Sequence, residues 1–348
     1  MRVAAVGEGL LERVAVAANV VPRPLVETQI AFIGARAIMA GVETGVFEAL
    51  ADGSRDAAGV AQACGTEPNA TRELLDCLVS LGYLRSRRGR YRTTRVTRTW
   101  LLHSSPVSLA DKLCFQLVEC DWTARLEEFV RTGKALDLHA SGMTPEQWAR
   151  YQDAMRAVSV GVAPAVAKSV PMPEVPTAML DIGGSHGLFS VALCRRYPTL
   201  RSTVLELPAA AEEAGRLLAR EETGGRVTLK AGNALTDDLG EERFDLVLMS
   251  NVAHHFSDEQ NRDLARRVAV ALRPGGAYVI GEFVRRHRAS AGDGVAATAG
   301  LYFALTSTSG TWQLEEIQDW QRSAGLVPGR PTRYRVLPNY VTVPARKP

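Results

Sequence analysis

The segment FDLVLMSNVAHHFSDEQ, residues 244–260, sets two adjacent histidines, His254 and His255, just past an apolar run. An imidazole titrates near neutral pH, so it can take a proton from a phenol or similar hydroxyl as that oxygen attacks an electrophilic carbon. Positioned base catalysis of this kind is worth about 10²–10⁴-fold. Glu282 ends the next apolar run, after Arg273-Pro274-Gly275-Gly276, where a carboxylate can orient an imidazole and stabilise it once charged. His254 is therefore the candidate base and Glu282 its support. Taken alone, the same residues serve equally well as a turn cap, a packing group and a solvated strand-end acid.

A second constellation lies upstream. In LDIGGSHGLFS, residues 180–190, an apolar run enters a glycine-rich turn and then a helical stretch. Gly183, Gly184 and Gly187 let the backbone turn tightly and approach a ligand, and the following helix N-terminus offers N–H groups to an anion. Such a turn can also be merely a turn. Glu206 sharpens it, because it ends the next apolar run roughly 20 residues on, where a carboxylate can accept both ribose hydroxyls. Leu207 follows it, and Asn233 with Ala234, in AGNAL, stands where a side chain can hold an adenine amino group. Ser250 is assigned to the cofactor side of the next strand end and Asn251 to the acceptor side. The pattern Asp181-x-Gly183-x-x-x-Gly187 is not the G-x-G-x-x-G of dinucleotide folds, and an acid before the turn suits a cation. Adenosylmethionine fits better than a nicotinamide dinucleotide. Its methyl group would then be the electrophile facing His254.

These residues need a particular scaffold. Short apolar runs at 178–182, 203–205, 227–229, 244–249 and 277–280 alternate with helical patterns, which implies a mostly parallel sheet with helices on both faces. Ligands on such sheets bind outside the carboxyl ends of the strands. Two last runs, 334–337 and 340–343, suggest a terminal hairpin. Before the sheet, the proline-rich stretch 171–176 reads as a linker. Thr144, Pro145 and Gln147 give an N-cap, a first-turn proline and a capping-box glutamine. They start a long helix with Trp148, Met155 and Val162 along one face, which Pro164 should kink or end.

The first hundred residues are helical with short breaks. Ile30, Ile33, Ala37 and Ala40, then 57–64, then Leu74, Leu78 and Leu81 mark three helices, with Gly82 as a stop. Residues 83–94, turning at Gly89, read as a hairpin, and three helices with a hairpin describe a winged helix. The expected division is 1–104, a winged-helix domain; 105–176, a helical connector contributing to an acceptor pocket; and 177–348, the cofactor domain. Phe115, Trp122, Trp148, Met155 and residues 301–305 are candidate walls of that pocket, although aromatics and methionine at helical spacing also build plain core.

Composition narrows the classes. A formal charge of +3 over 348 residues gives no general attraction for nucleic acid or an anionic membrane. The local exception is the wing, with Arg85, Arg87, Arg88, Arg90, Arg92, Arg95 and Arg98. A DNA-binding regulator is the competing class, but the helix that would read DNA carries Glu73 and Asp76 with only Arg72. The five cysteines are scattered without C-x-x-C, which fits neither a disulfide framework nor zinc, so no metal and a cytoplasmic setting are expected. Residues 14–21 lack the flanks of a signal peptide, and nothing was expected to approach a membrane span.

Together these motifs resemble the dimeric S-adenosylmethionine-dependent O-methyltransferases, a family that includes plant caffeic acid and isoflavone methyltransferases and bacterial natural-product enzymes. The resemblance spans nearly the whole chain: the winged helix, residues 122–133 ending in RTG, the helix with Met155, Gly183 and Gly187 in the turn, Glu206 in LELP, and His254 in H-x-F-S-D-E. It implies a class I α/β methyltransferase domain, a seven-stranded mostly parallel sheet ending in an antiparallel hairpin, and an N-terminal dimerisation domain. It further implies S-adenosylmethionine as donor, S-adenosylhomocysteine as product, a homodimer, and a small, flat aromatic acceptor. Departures are Ser185 for a glycine, Asn233 for an aspartate, Phe256 for a tryptophan, and Leu314 for a threonine. The family's second supporting glutamate falls near Trp312, which leaves carbon or nitrogen methylation, or non-methylating use of the cofactor, as alternatives.

Overall fold

Strand-forming runs punctuated by glycine, proline and capping residues dictate most of the architecture, which a computed structural model describes for residues 6–7, 9–136, 138, 143–288, 294–335, 337 and 339–348. The chain forms two compact units, residues 1–117 and 118–348.

In the first unit, helices Ala31–Glu43, Ala57–Cys64 and Pro68–Ser80 precede strands β1 (Leu84–Arg87) and β2 (Arg90–Thr93), as a winged helix requires. Asp56 caps the second helix by accepting from Gly59 N at 2.9 Å, and Pro68 occupies the first turn of the third. Arg88 and Gly89 both have positive φ, +52° and +73°, the combination that a two-residue hairpin turn matched to strand twist demands. Phe47, Leu50, Val60, Leu75, Leu78 and Leu84 fill the small core. Ahead of it, a helical run from Arg23 to Glu43 has a five-residue π-helical segment at Val26–Ile30.

That run corrects one expectation: over its 21 residues it is long and apolar enough to cross a bilayer by length and composition, with a mean hydropathy of 1.4 in its best window. Leu25, Ile30, Phe32 and Ile33 on it are all exposed.

In the second unit, helix Pro145–Val160 begins with the expected capping box, Gln147 N donating to Thr144 Oγ1 at 3.2 Å and Thr144 N to Gln147 Oε1 at 3.0 Å. Trp148 is buried and Met155 half-buried along it, but Val162 lies beyond its end. Pro164 does not kink this helix. It sits in the first turn of a separate helix, Ala163–Ser169, where no backbone N–H is needed.

The sheet contains β3 (Ala178–Ile182), β4 (Arg201–Glu206), β5 (Val227–Ala231), β6 (Phe244–Ser250), β7 (Leu272–Phe283), β8 (Val327–Pro328), β9 (Thr332–Arg333) and β10 (Tyr340–Arg346). Its order is β5-β4-β3-β6-β7-β10-β8, with β9 also paired to β10. From β5 through β7 the strands run parallel, and β10 lies antiparallel along β7 from Tyr340↔Phe283 to Arg346↔Ala277. The terminal hairpin differs from the expected one. β10 pairs with the two-residue strands β8 and β9, whereas Tyr334 turns into the core and meets Thr342 Oγ1 at 2.9 Å. Val336, also in the expected strand, lies outside the described residues. Apolar side chains cover both faces, Leu264, Val268, Ile317 and Trp320 on one and Val166, Val191 and Leu193 on the other.

Strand order reverses at β3, whose neighbours are β4 and β6. The crevice at such a reversal, outside the carboxyl ends, is where ligands bind in open α/β sheets.

Candidate active site

A cavity of about 530 Å³ opens at this reversal, lined by Gly183 and Ser185 after β3, Glu206 and Leu207 after β4, Asn233 and Ala234 after β5, and Asn251 and Val252 after β6. Trp148, Tyr151 and Gln152 cover it from helix Pro145–Val160. The chain's own backbone makes room here. Gly183 has φ +61°, and a β-carbon on it would lie 2.6 Å from Val252 Cγ2. A β-carbon on Gly184 would lie 2.6 Å from the Asp181 carboxyl carbon.

Glu206 is held from below. Ser185 N donates to its Oε2 and Leu207 N to its Oε1, both at 2.8 Å, which aims the carboxylate while burial pushes its pKa up. Asn233 Oδ1 accepts from Leu235 N at 3.0 Å, and Arg267 Nη1 donates to Ala234 O at 2.7 Å, so the turn after β5 is anchored from both sides. Ser185, with φ +51°, also donates its hydroxyl to Gln152 Oε1, tying the glycine turn to the covering helix.

Not every expected cofactor residue reaches the wall. Asp181 is fully buried beneath the turn, where Ser190 Oγ donates to its Oδ2 at 2.6 Å and its Oδ1 has no protein partner. Burial lifts its pKa to about 7. Gly187, with φ +71°, shapes the entry into helix Leu188–Arg196, and Ser250 shares a hydrogen bond of 2.7 Å with the Tyr340 hydroxyl. Neither lines the cavity. Among the expected acceptor residues, Trp148 and Asn251 line it. Phe115 is buried in the first unit, and Trp122 and Met155 are half-buried away from the cavity wall. Phe256 of the H-x-F-S-D-E motif also lines it, as do Tyr151, Gln152 and Thr308, which no motif marks.

The histidines divide. His255 lines the cavity, whereas His254 is 2 % exposed and its Nδ1 lies 3.1 Å from both carboxylate oxygens of Glu282. With Nδ1–H donated to the carboxylate, Nε2 carries the lone pair, a tautomer assigned from the hydrogen bonding. The ring stacks on Phe303 at 4.2 Å between centroids. Trp312 stands where the resemblance places a second glutamate, and its indole N–H donates to Ala253 O at 2.9 Å. Among the described residues no three His, Cys, Asp or Glu side chains gather as a metal group would need.

Residues 124–326 match the model of the O-methyltransferase domain, and residues 26–103 match that of the O-methyltransferase dimerisation domain. The chain is an O-methyltransferase. It is 30 % identical over 311 residues to the 3-hydroxy-5-methyl-1-naphthoate 3-O-methyltransferase of Streptomyces sahachiroi, covering 85 % of this chain and 87 % of that one. It is 29 % identical over 325 residues to the tetracenomycin polyketide synthesis 8-O-methyl transferase TcmO of Streptomyces glaucescens, covering 89 % and 93 %. Human N-acetylserotonin methyltransferase, solved with S-adenosylmethionine, superposes with a TM-score of 0.82 at 22 % identity over 99 % of each chain, which establishes a common fold.

This O-methyltransferase takes its methyl group from S-adenosylmethionine. The glycine cradle and the aimed Glu206 carboxylate fit an adenosyl group, and the family matched is that of the O-methyltransferases. The arginine-rich wing belongs to the dimerisation domain.

Proposed function

We propose that His254 is the general base of this O-methyltransferase and that its acceptor is a hydroxyl on a small, flat aromatic natural-product intermediate. The carrying observation is the His254–Glu282 pair, which fixes Nδ1 as donor and leaves Nε2 to accept the acceptor's proton. Bound cofactor supplies an electrophilic methyl on a sulfonium. Glu206 receives the ribose hydroxyls, the turn at Gly183 admits the amino-acid portion, and Asn233 with Ala234 and Leu207 flank the adenine. Buried Asp181 supports the turn from below, Gly187 starts the helix behind it, and Ser250 braces the strand end. His254 takes the hydroxyl proton as the oxygen attacks, and Glu282 stabilises the imidazolium that results.

The aromatic character of the acceptor is supported by Trp148 and Tyr151 on the cavity, by Phe303 against His254, and by the naphthoate named for the Streptomyces sahachiroi relative. Trp148 and Asn251, which line the cavity, contribute the acceptor wall, whereas Phe115, Trp122 and Met155 do not reach it. The exposed apolar side chains of the run 23–43 support a homodimer, and the protein works in the cytoplasm on a small molecule without nucleic acid.

The test is methyl transfer from labelled S-adenosylmethionine to a panel of naphthols and hydroxynaphthoates, with wild-type and His254→Ala protein. Wild-type turnover in the variant overturns the assignment of the base.

A further inference from the structure

Two carbonyls of the histidine turn are gripped by one distant segment. The turn at Ala253–His255 is a single 3₁₀ turn, too short to satisfy its own backbone and poor in hydrogen-bond geometry. Ser309 N donates to His254 O at 3.2 Å, and Trp312 Nε1 donates to Ala253 O at 2.9 Å. Asn261 Nδ2 donates to the same Ala253 carbonyl at 3.0 Å.

Trp312 is itself fixed at both ends. Its carbonyl accepts from Arg285 N at 2.8 Å, three residues past Glu282. Its ring meets Trp320 edge-on with centroids 5.0 Å apart, and Trp320 Nε1 donates to Asp258 Oδ1 at 2.8 Å on the helix that follows the histidines. One residue thus joins the segment just past the strand that carries Glu282, through its backbone carbonyl, to the turn that carries His254, through its indole.

We propose that Trp312 is a positioning residue for His254, setting the turn's backbone so that Nδ1 meets both oxygens of Glu282. The proposal rests on His254 being the base, and it assigns to a neutral N–H donor the support that a second carboxylate would give. A ring alone would suffice for packing. The indole N–H adds a third donor, beside Asn261 Nδ2 and Phe256 N, to the carbonyl one residue before the imidazole, and a displacement of about 1 Å at a reacting group can cost on the order of 10²-fold in rate.

The test follows the His254 Nδ1–H proton by NMR in histidine-¹⁵N-labelled full-length protein saturated with S-adenosylhomocysteine, with Glu282→Gln to assign it. Trp312→Phe keeps a ring against Trp320 and removes the donor. The expected result is a shifted or lost Nδ1–H resonance with unchanged affinity for S-adenosylhomocysteine. An unaltered resonance in a folded variant overturns the proposal. Should Trp312→Phe not fold, exchange of the Trp312 indole proton in wild-type protein decides: exchange only on global opening is expected, and exchange as fast as at an exposed indole overturns it. Failure of the base assignment would be read separately, as retained turnover in His254→Ala with the Trp312 effect on the resonance intact.

Discussion

His254 Nδ1 lies equidistant, at 3.1 Å, from the two carboxylate oxygens of Glu282, and both side chains are almost fully buried. A charge-stabilising partner so placed acts on the imidazolium formed during transfer more than on the resting imidazole. His254→Ala should therefore lower turnover by about 10²–10⁴-fold while leaving cofactor affinity near wild type. Glu282→Gln should lower turnover in the same direction, because an amide cannot stabilise the developing positive charge. Steady-state kinetics with calorimetric titration of S-adenosylhomocysteine separates the two quantities.

The proposed cofactor cradle turns at Gly183, on the cavity wall. A β-carbon there meets Val252 Cγ2 at 2.6 Å, and its φ of +61° disfavours any L side chain. Gly183→Val should abolish the heat of S-adenosylhomocysteine binding, whereas the circular dichroism of the sheet should persist. Full affinity in the variant would show that the cradle is not where the cofactor lies.

Gly183, Glu206 and His255, which line the cavity, are legible because each ends or follows a buried apolar run, and in a parallel sheet every such end faces one crevice. The strands were found for the same reason: β3 spans the expected residues, 178–182. What remained hidden depends on packing through space. Tyr151 and Gln152 sit on a helix whose spacing reads as core, and through-space contacts such as the Ser185–Gln152 hydrogen bond and the Asp153–Arg216 ion pair put that helix over the turn. β8 and β9 have two residues each, too few to carry a period, so the sequence points instead to the more apolar run around Tyr334. Spacing gives no depth, so an acid before the turn suits a cation in sequence, whereas the structure buries Asp181 under the turn.

That burial makes stability depend on pH. Burial, by desolvating the carboxylate, pushes the Asp181 pKa from its ordinary 3.8 to about 7. A raised carboxyl favours the protonated native state, so its contribution is complete below about pH 4 and is lost as pH climbs toward 7. The cofactor-free melting temperature should fall over that window. Asp181→Asn, which keeps an acceptor for Ser190, should flatten the fall, leaving a residual slope from Glu206, whose pKa burial also raises. Parallel melting curves for the two proteins from pH 4 to 7 would contradict it.

The exposed Phe32 and Ile33, at 63 % and 56 % accessibility, lie within the segment that matches the dimerisation family. Large apolar side chains left in water on one helical run mark an association surface. Phe32→Asp with Ile33→Asp should convert dimers to monomers in light scattering at micromolar concentration. A wild-type protein that is already monomeric there would remove the basis for this expectation.

Ser185 sets two local effects against each other. At φ +51° a side chain costs on the order of 1 kcal/mol relative to glycine, yet the hydroxyl holds Gln152. Ser185→Ala keeps the strain and loses the bond, so it should be the least stable of the three proteins. Ser185→Gly loses the bond but relieves the strain, and should exceed Ser185→Ala by about 1 kcal/mol in denaturant unfolding. If alanine and glycine prove equally stable, the turn carries no left-handed strain at this position, and the family's glycine was replaced here at no conformational cost.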